Sequence, residues 1–228
     1  ETGNPTTPVE LVTQLRYDLP NIQTKINLLK LLLTDKEEFR RVMIFTETKK
    51  NADRIVERLG DHWKGELSVL HSNKAQNSRL NALKAFKEGK TRIMVSSDVA
   101  ARGIDVQDVS HVINLDIPSI PEEYIHRIGR TARAGKEGTA ISFVTEKEEP
   151  KFEEIEKLIG QQVEWAALPE NLVISDVLLD DEKVQTSNIV YQKGKPKGGG
   201  AFHAKSAKNS KTPQKVRKDR TKEGRRKK

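Results

Sequence analysis

The sequence contains no cysteine, and its 228 residues include only two tryptophans, three tyrosines and six phenylalanines. The absence of cysteine excludes a disulfide framework, thiolate metal ligands and a cysteine nucleophile, and it suits a reducing, cytoplasmic location. No apolar run approaches the ~18 residues that would span a bilayer, and no secretory leader opens the sequence. We therefore expect neither membrane insertion nor secretion.

Charge is unevenly distributed along the chain. Residues 193–228 hold 15 Lys or Arg and two acids, a net charge of +13, whereas residues 1–192 hold 26 basic and 31 acidic residues, a net charge of −5. The tail has almost no large apolar side chain to bury, so we predict that residues 193–228 are disordered. Because basic segments bind polyanions by counterion release, RNA or ribosomal particles are its expected partners. A tail that serves only solubility is the alternative.

Strand-like and helix-like segments alternate through most of the chain. This alternation, with strands that are apolar throughout, predicts an α/β fold of three layers around a central, mostly parallel sheet. We place this domain at residues 9–170, after a linker or cloning remnant at 1–8. Residues 171–192 form an extension that is either one more helix or a docked segment. The predicted strands are 11–19, 41–47, 65–72, 91–97, 111–116 and 138–145, and the predicted helices are 24–35, 48–60, 76–90, 119–132 and 147–160.

Three arginines recur at every third position in the stretch HRIGRTARAG, residues 126–135. This spacing would place Arg127, Arg130 and Arg133 on roughly one face of a helix. Such close like charges repel one another unless an anion lies opposite them. The sequence contains no G-x-x-x-x-G-K-[ST] phosphate loop that would hold a nucleotide. A solvated basic helix face is the alternative interpretation.

Four motifs together carry a resemblance to a known family. VMIFTETKKNAD at 42–53, HSNKAQNSR at 71–79, SSDVAARGID at 96–105 and HRIGRTARAG at 126–135 follow one another in the order seen in superfamily-two helicases. The chain resembles the second, C-terminal RecA-like domain of DEAD-box RNA helicases, in particular the RhlE-like branch. The resemblance covers about residues 9–165 and leaves out the basic tail.

The resemblance implies a nucleotide site that is shared between two domains. ATP and Mg²⁺ would lie in a cleft between two RecA-like domains, and the N-terminal one would carry the phosphate loop and the Mg²⁺ ligands. No metal ligand is therefore expected in this chain. The complete protein is expected to be an ATP-dependent RNA helicase, whereas this half is expected to be inactive alone as an ATPase.

By this resemblance, two arginines and a glycine–aspartate pair contact ATP. Arg130 and Arg133 would point at the γ-phosphate, with Arg133 as the arginine finger, because a planar guanidinium bonds two phosphate oxygens at once. Asp105 would accept hydrogen bonds from the ribose hydroxyls, and Gly103 would allow close backbone approach. An aspartate that caps a turn is the alternative for Asp105.

Four further residues are expected to shape this region. His126 and Arg127 would contact the acidic motif of the N-terminal domain and so couple the nucleotide state to domain closure. Asp98 would hold its own loop, pairing with an arginine of the 126–135 segment. Phe45 resembles the aromatic residue that packs under those arginines, and an ordinary core position is the alternative.

The resemblance assigns RNA-backbone contacts to two loops. Gln76 and Arg79 match the family's Q-x-x-R segment, where the amino end of a helix adds partial positive charge, although Gln76 could be an ordinary polar residue of that helix. Ser97 would donate to a phosphate. Ser72 stands where the family has glycine, so its hydroxyl would have to replace a backbone contact. Such contacts are blind to base sequence.

Two other functions are alternatives to an RNA helicase half. A stand-alone RNA-binding or assembly protein explains the tail but gives Asp105, Arg130 and Arg133 no task. The C-terminal half of a DNA-directed helicase shares these motifs. The histidines show no metal-ligand spacing, and we interpret Trp63 and Trp165 as packing residues.

Overall fold

The computed structural model describes residues 12–98, 106, 109–131, 138–179 and 182–183. Strands and helices alternate along these ranges, as the sequence predicts. None of the described helices has the length and apolar character needed to cross a bilayer. The elements in chain order are β1 Val12–Asp18, α1 Ile22–Leu32, β2 Val42–Thr46, α2 Lys49–Gly60, β3 Leu67–Leu70, α3 Gln76–Lys87, β4 Ile93–Ser97, β5 His111–Asn114, α4 Pro121–Ile128, β6 Gly138–Val144, α5 Glu149–Ile159 and β7 Glu164–Trp165.

The seven strands form one sheet in the order β3-β4-β2-β5-β6-β1-β7. Every pairing is parallel. All strands therefore end at the same side of the sheet, which we call the carboxyl edge, and begin at the opposite amino edge. The predicted three-layer α/β fold is confirmed.

Helices cover both faces of the sheet and exclude water from its central strands. The helices α1 and α2 bury Ile26, Leu29 and Ile55 against one face, together with the alternate β2 residues Val42 and Ile44. The helices α3, α4 and α5 cover the other face, onto which Met43 and Phe45 of β2 project. This double burial explains why β2, β4 and β5 read as continuous apolar runs instead of alternating.

Local signals fix some helix ends more sharply than others. The Thr48 side chain accepts a 3.1 Å hydrogen bond from the Asn51 amide and so caps α2 where the predicted helix 48–60 begins. Gly160 ends α5 in the left-handed conformation at φ 71°, which a residue without Cβ adopts at low cost. Helix α4 has no such signal and ends at Ile128, four residues before the predicted end.

The segment after α5 does not form another helix within residues 166–179. Instead it follows α1: the Asn27 side chain donates to the Val173 carbonyl at 2.8 Å, and the Ser175 amide donates to Thr24 Oγ1 at 3.0 Å. Leu172 and Leu179 pack against the core below. For this part of the extension, the docked alternative is confirmed. The domain boundaries remain predictions, and the tail lies outside the described residues.

Candidate functional site

The carboxyl edge of the sheet holds a buried arginine that makes four hydrogen bonds within its own domain. Arg127 of α4 is 2% exposed. Its guanidinium donates to both carboxylate oxygens of Asp98 at 2.7 and 2.8 Å, to Asn114 Oδ1 at 3.1 Å and to the Asp116 carbonyl at 2.7 Å. Each of these partners follows or ends a strand, so the parallel topology brings residues 11 to 29 positions away in sequence to one arginine.

An aromatic ring completes the surroundings of Arg127. The guanidinium carbon lies 5.3 Å from the centroid of the Phe45 ring, a cation–π distance. Phe45 is buried in β2 and belongs to the core under α3. The predicted pairing of Asp98 with an arginine and the predicted packing of Phe45 under it are therefore both confirmed for Arg127. We call Arg127 together with Asp98, Asn114 and Phe45 the Arg127 centre.

The burial of Arg127 corrects one sequence-based expectation. A direct contact with another domain requires an exposed guanidinium, whereas that of Arg127 is buried and bonded to its own domain. The helix also ends at Ile128, so Arg127 and Arg130 do not share a helix face as their spacing suggested. Arg130 lies in the turn that follows, and its amide bonds the Arg127 carbonyl at 3.1 Å. His126 is exposed on α4 and remains available to a second domain.

Three of the predicted nucleotide-binding residues cannot be placed. Gly103, Asp105 and Arg133 lie outside the described residues. Their roles therefore stay predictions, as does that of Arg130. The structure does place the residues on which both missing segments border, because Asp98 precedes the first and Arg127 and Thr131 precede the second. Asp98 and Arg127 bond each other at the carboxyl edge, whereas Thr131 bonds the Val109 carbonyl at the amino edge.

A second polar cluster lies at the amino end of α3. Ser72 and Gln76 are exposed, and Arg79 Nη1 donates to Gln76 Oε1 at 3.1 Å. Helix α3 starts after Ala75 without a side-chain cap, so the amides of its first turn have no side-chain acceptor from that residue. An uncapped helix start beside an arginine suits an anion such as a phosphate.

The loop before α3 is tied to α2. The buried His71 ring bonds Asp53 through Nε2 at 3.0 Å, and Lys74 Nζ lies 2.9 Å from the same carboxylate oxygen. The hydrogen bond from Lys74, followed by that from His71, lowers the pKa of Asp53 below its ordinary range. Lys49 reaches across to Asn73 at 2.8 Å. These bonds fix the backbone on which Ser72 stands.

Ser97 differs from the other predicted RNA contacts. It is the last residue of β4 and is only 4% exposed. A phosphate contact requires an accessible hydroxyl, so this burial contradicts direct access to Ser97 in the observed conformation. The neighbouring Ser96 is buried as well and donates to the Leu70 and Ser97 carbonyls.

One hydrogen-bond acceptor at the carboxyl edge was not predicted from the sequence. Asp116 follows β5, and its Oδ2 accepts from the Glu47 amide at 2.9 Å and from the Asn51 side chain at 3.0 Å. It thereby joins the loop after β2 to the loop after β5. Asp116 is the last residue of the predicted strand 111–116, and this position does not reveal its distant partners.

Comparison with known proteins gives one consistent result. Residues 24–135 match the helicase conserved C-terminal domain. The chain is 38% identical over 195 residues to ATP-dependent RNA helicase dbp8 of Botryotinia fuckeliana, covering 82% of this chain and 35% of that protein. The chain thus spans about a third of the length of the curated relatives that it matches over this range.

Solved structures agree with this match. The C-terminal domain of the DEAD-box protein Dbp5 superimposes with a TM-score of 0.63 and 32% identity, covering 81% of this chain and 99% of that one. Dbp5 of S. cerevisiae bound to RNA and ADP BeF3 superimposes with a TM-score of 0.64 and 30% identity, covering 83% of this chain and 48% of that one.

Proposed function

Because the chain belongs to the family of C-terminal RecA-like domains of DEAD-box ATP-dependent RNA helicases, we propose that it acts as one half of such an enzyme. The other half is an N-terminal RecA-like domain that holds the ATP phosphates and Mg²⁺. Together they would hydrolyse ATP and use closure on one RNA strand to separate or remodel short duplexes. The RhlE-like assignment remains part of this proposal.

The observation that carries this proposal is the Arg127 centre at the carboxyl edge of the sheet. In open α/β sheets, ligands bind beyond the carboxyl ends of the strands. The Asp98–Arg127 ion pair, with distances of 2.7 and 2.8 Å, joins the end of β4 to α4, the elements that precede Asp105 and Arg133 in the chain. A rigid support of this kind suits residues that must reach across a cleft to a nucleotide held by another domain.

In this proposal Arg130 and Arg133 approach the γ-phosphate only when the cleft closes. Phosphoryl transfer develops charge on the phosphate oxygens, and an arginine supplied from a second domain raises the rate on the order of 10³–10⁵-fold. Asp105 and Gly103 bind the ribose side of the nucleotide. The exposed His126 contacts the N-terminal domain, and Arg127 acts from inside its own domain.

RNA binds along the amino end of α3. Arg79 and the uncapped amides of α3 face one backbone phosphate, and the exposed Gln76 and Ser72 side chains line the same surface. The basic tail adds a salt-dependent contact to RNA or to ribosomal particles. These are backbone contacts, so recognition is independent of base sequence.

The decisive experiment measures ATP turnover by the lone chain and by a fusion with an N-terminal RecA-like domain. We expect no turnover by the lone chain and RNA-stimulated hydrolysis by the fusion. In the fusion, Arg133→Ala should abolish most hydrolysis while RNA binding is retained. Arg133→Lys is the matched control, which keeps the charge but lacks the planar fork and should not restore full activity.

Two results would overturn the proposal. Rapid ATP hydrolysis by the lone chain would show that the nucleotide site is not shared between domains. A fusion that hydrolyses no ATP, while the lone chain still binds RNA, would favour a stand-alone RNA-binding protein. Competition between single-stranded RNA and DNA in the presence of an ATP analogue separates RNA-directed from DNA-directed helicase activity.

A further inference from the structure

A buried ion pair lies beside the Arg127 centre and is not explained by any predicted contact with ATP or RNA. Lys25 of α1 is 2% exposed, and its Nζ lies 2.6 Å from Glu148 Oε2. Glu148 stands at the amino end of α5. Ion pairs on a protein surface are common and weak, whereas a buried pair must be fully bonded to be tolerated.

The pair is bonded to the backbone of one short loop and to Thr145. Lys25 Nζ donates to the Leu115 carbonyl at 2.7 Å, and Glu148 Oε1 accepts from the Ile117 amide at 3.1 Å. Glu148 Oε2 also accepts from the amide and the hydroxyl of Thr145, at 3.0 and 2.7 Å. Lys25 and Glu148 therefore hold the peptide groups on either side of Asp116.

Asp116 is the residue whose carbonyl accepts from Arg127, at 2.7 Å. Its side chain accepts from the Glu47 amide and the Asn51 side chain, so the loop is fixed on its other side as well. A shift of this loop would move the Asp116 carbonyl away from Arg127. Since Arg127 sits in the last turn of α4, the turn that carries Arg130 would move with it.

We infer that Lys25 and Glu148 are positioning residues that hold the 115–117 loop and, through it, Arg127 and the following turn in the orientation that catalysis needs. The inference rests on the proposed function for its catalytic part. Its structural part, the coupling of the pair to Arg127, stands independently. Neither residue touches nucleotide or RNA in this scheme, because both act through the loop.

The test uses two variants and one matched control. Lys25→Met removes the charge and both bonds of the lysine. Glu148→Gln keeps the size and shape of the side chain and decides the question if Lys25→Met does not fold. The control is Arg92→Met, because Arg92 also pairs with a carboxylate, Glu66, and bonds the Leu33 and Phe39 carbonyls, but at the amino edge.

The first measurement is hydrogen exchange of the Arg127 Nε–H by NMR in the 228-residue chain. We expect exchange about tenfold faster in Lys25→Met, a smaller increase in Glu148→Gln, and none in Arg92→Met. The second measurement is RNA-stimulated ATP turnover of the two-domain fusion. We expect kcat to fall about 10- to 100-fold in Lys25→Met with KM for ATP changed less than about twofold, since small misplacements act on the transition state.

Each outcome decides the inference. Faster exchange together with a lower kcat, in the pair variants but not in Arg92→Met, supports it. Unchanged Arg127 exchange in both pair variants overturns it, and so does an equal loss of kcat in Arg92→Met. Faster exchange with unchanged kcat overturns its catalytic part. If the unaltered fusion hydrolyses no ATP, the proposed function fails, while the exchange measurement still tests the coupling.

Discussion

Each edge of the sheet holds an arginine with little exposure, and the two differ in what surrounds them. At the amino edge, Arg92 bonds Glu66 and two backbone carbonyls, and Glu66 also binds Lys36 at the surface. At the carboxyl edge, Arg127 bonds the Asp98 and Asn114 side chains and, among the described residues, one backbone carbonyl. The amino-edge arginine thus ties loops together, whereas the carboxyl-edge arginine organises other polar side chains.

The difference shows that burial of a charge does not by itself mark a functional site. Both arginines pair with a carboxylate and bond further acceptors, so neither burial nor pairing distinguishes the two sites. What separates them is their position relative to the strand ends and to the turn that carries Arg130. The comparison can be tested by changing one edge at a time.

The largest effect on stability should come from removing Arg127. Arg127→Met leaves the Asp98 carboxylate, which is only 16% exposed, without its ion-pair partner, and loss of one partner of a buried pair costs about 3–5 kcal/mol. Arg92→Met should cost about 1–3 kcal/mol, because Glu66 is more exposed and keeps Lys36. Urea unfolding of both variants measures the difference.

A double variant checks the origin of that difference. Arg127→Met combined with Asp98→Asn removes the uncompensated charge and should recover part of the lost stability. If Arg127→Met and Arg92→Met are equally destabilising, the lower exposure of Asp98 and the Lys36 partner of Glu66 do not determine the cost of losing the arginine.

A smaller loss of stability is expected at the amino edge from Gly138→Ala. A Cβ at Gly138, the first residue of β6, would lie 2.0 Å from Thr131 Oγ1 and 2.7 Å from its Cβ. Thr131 is itself held by a 2.6 Å bond to the Val109 carbonyl, so relief is limited and about 1–3 kcal/mol should be lost. Gly60→Ala is the control, because nothing lies within 4 Å of a Cβ there and helix propensity favours alanine.

The two glycine variants also show whether a loss of stability comes from the steric clash at Gly138 or from any replacement of glycine by alanine. Thermal unfolding should show a lower midpoint for Gly138→Ala and an equal or higher one for Gly60→Ala. Equal losses in both would contradict the steric reason, since only Gly138 has a side chain in its way.

The fold was predictable because its signals are local. Apolar runs identified β2, β4, β5 and β6, and Thr48 marked the start of α2 through a cap that is set within four residues. Strands of a parallel sheet are buried on both faces, and continuous apolar runs in the sequence indicate such burial. β7 was missed, because two residues, Glu164 and Trp165, are too short for any periodicity.

Side-chain roles were harder to predict because they depend on distant partners. Trp165 was interpreted as a packing residue, but it is 62% exposed and instead stacks over the Arg16 guanidinium at 4.1 Å. Arg127 was grouped with Arg130 by spacing alone, whereas a carboxylate 29 residues earlier holds it inside the domain. Lys25 and Glu148 gave no local signal at all.

The smallest effect on stability at neutral pH comes from protonation of His111 at the amino edge and Glu148 at the carboxyl edge. These two groups take up protons in different pH ranges. Burial, followed by the charge of Arg40, lowers the pKa of His111 at the amino edge to about 4 from an ordinary value of about 6.5. The unfolded chain therefore takes up this proton first, and the free energy of unfolding should fall as the pH drops from about 6.5 to 4. Burial raises the pKa of Glu148 at the carboxyl edge, but Lys25 and the bonds to Thr145 and Ile117 outweigh it, so the pKa is lowered overall.

The two groups consequently act in different pH ranges. Glu148 stabilises the fold above its ordinary pKa of about 4.3, and its contribution should be lost only below that value. The free energy of unfolding can be measured in urea at pH 7, 5.5 and 4. Between pH 6.5 and 4 it should depend less on pH in His111→Asn than in the unaltered chain. In Glu148→Gln its dependence on pH above pH 5 should equal that of the unaltered chain. Because Glu38 lies 3.8 Å from His111, Glu38→Gln should steepen the loss by removing a nearby negative charge. If Glu148→Gln made the free energy of unfolding less dependent on pH between pH 6.5 and 5, the attribution of this dependence to His111 at the amino edge would be wrong.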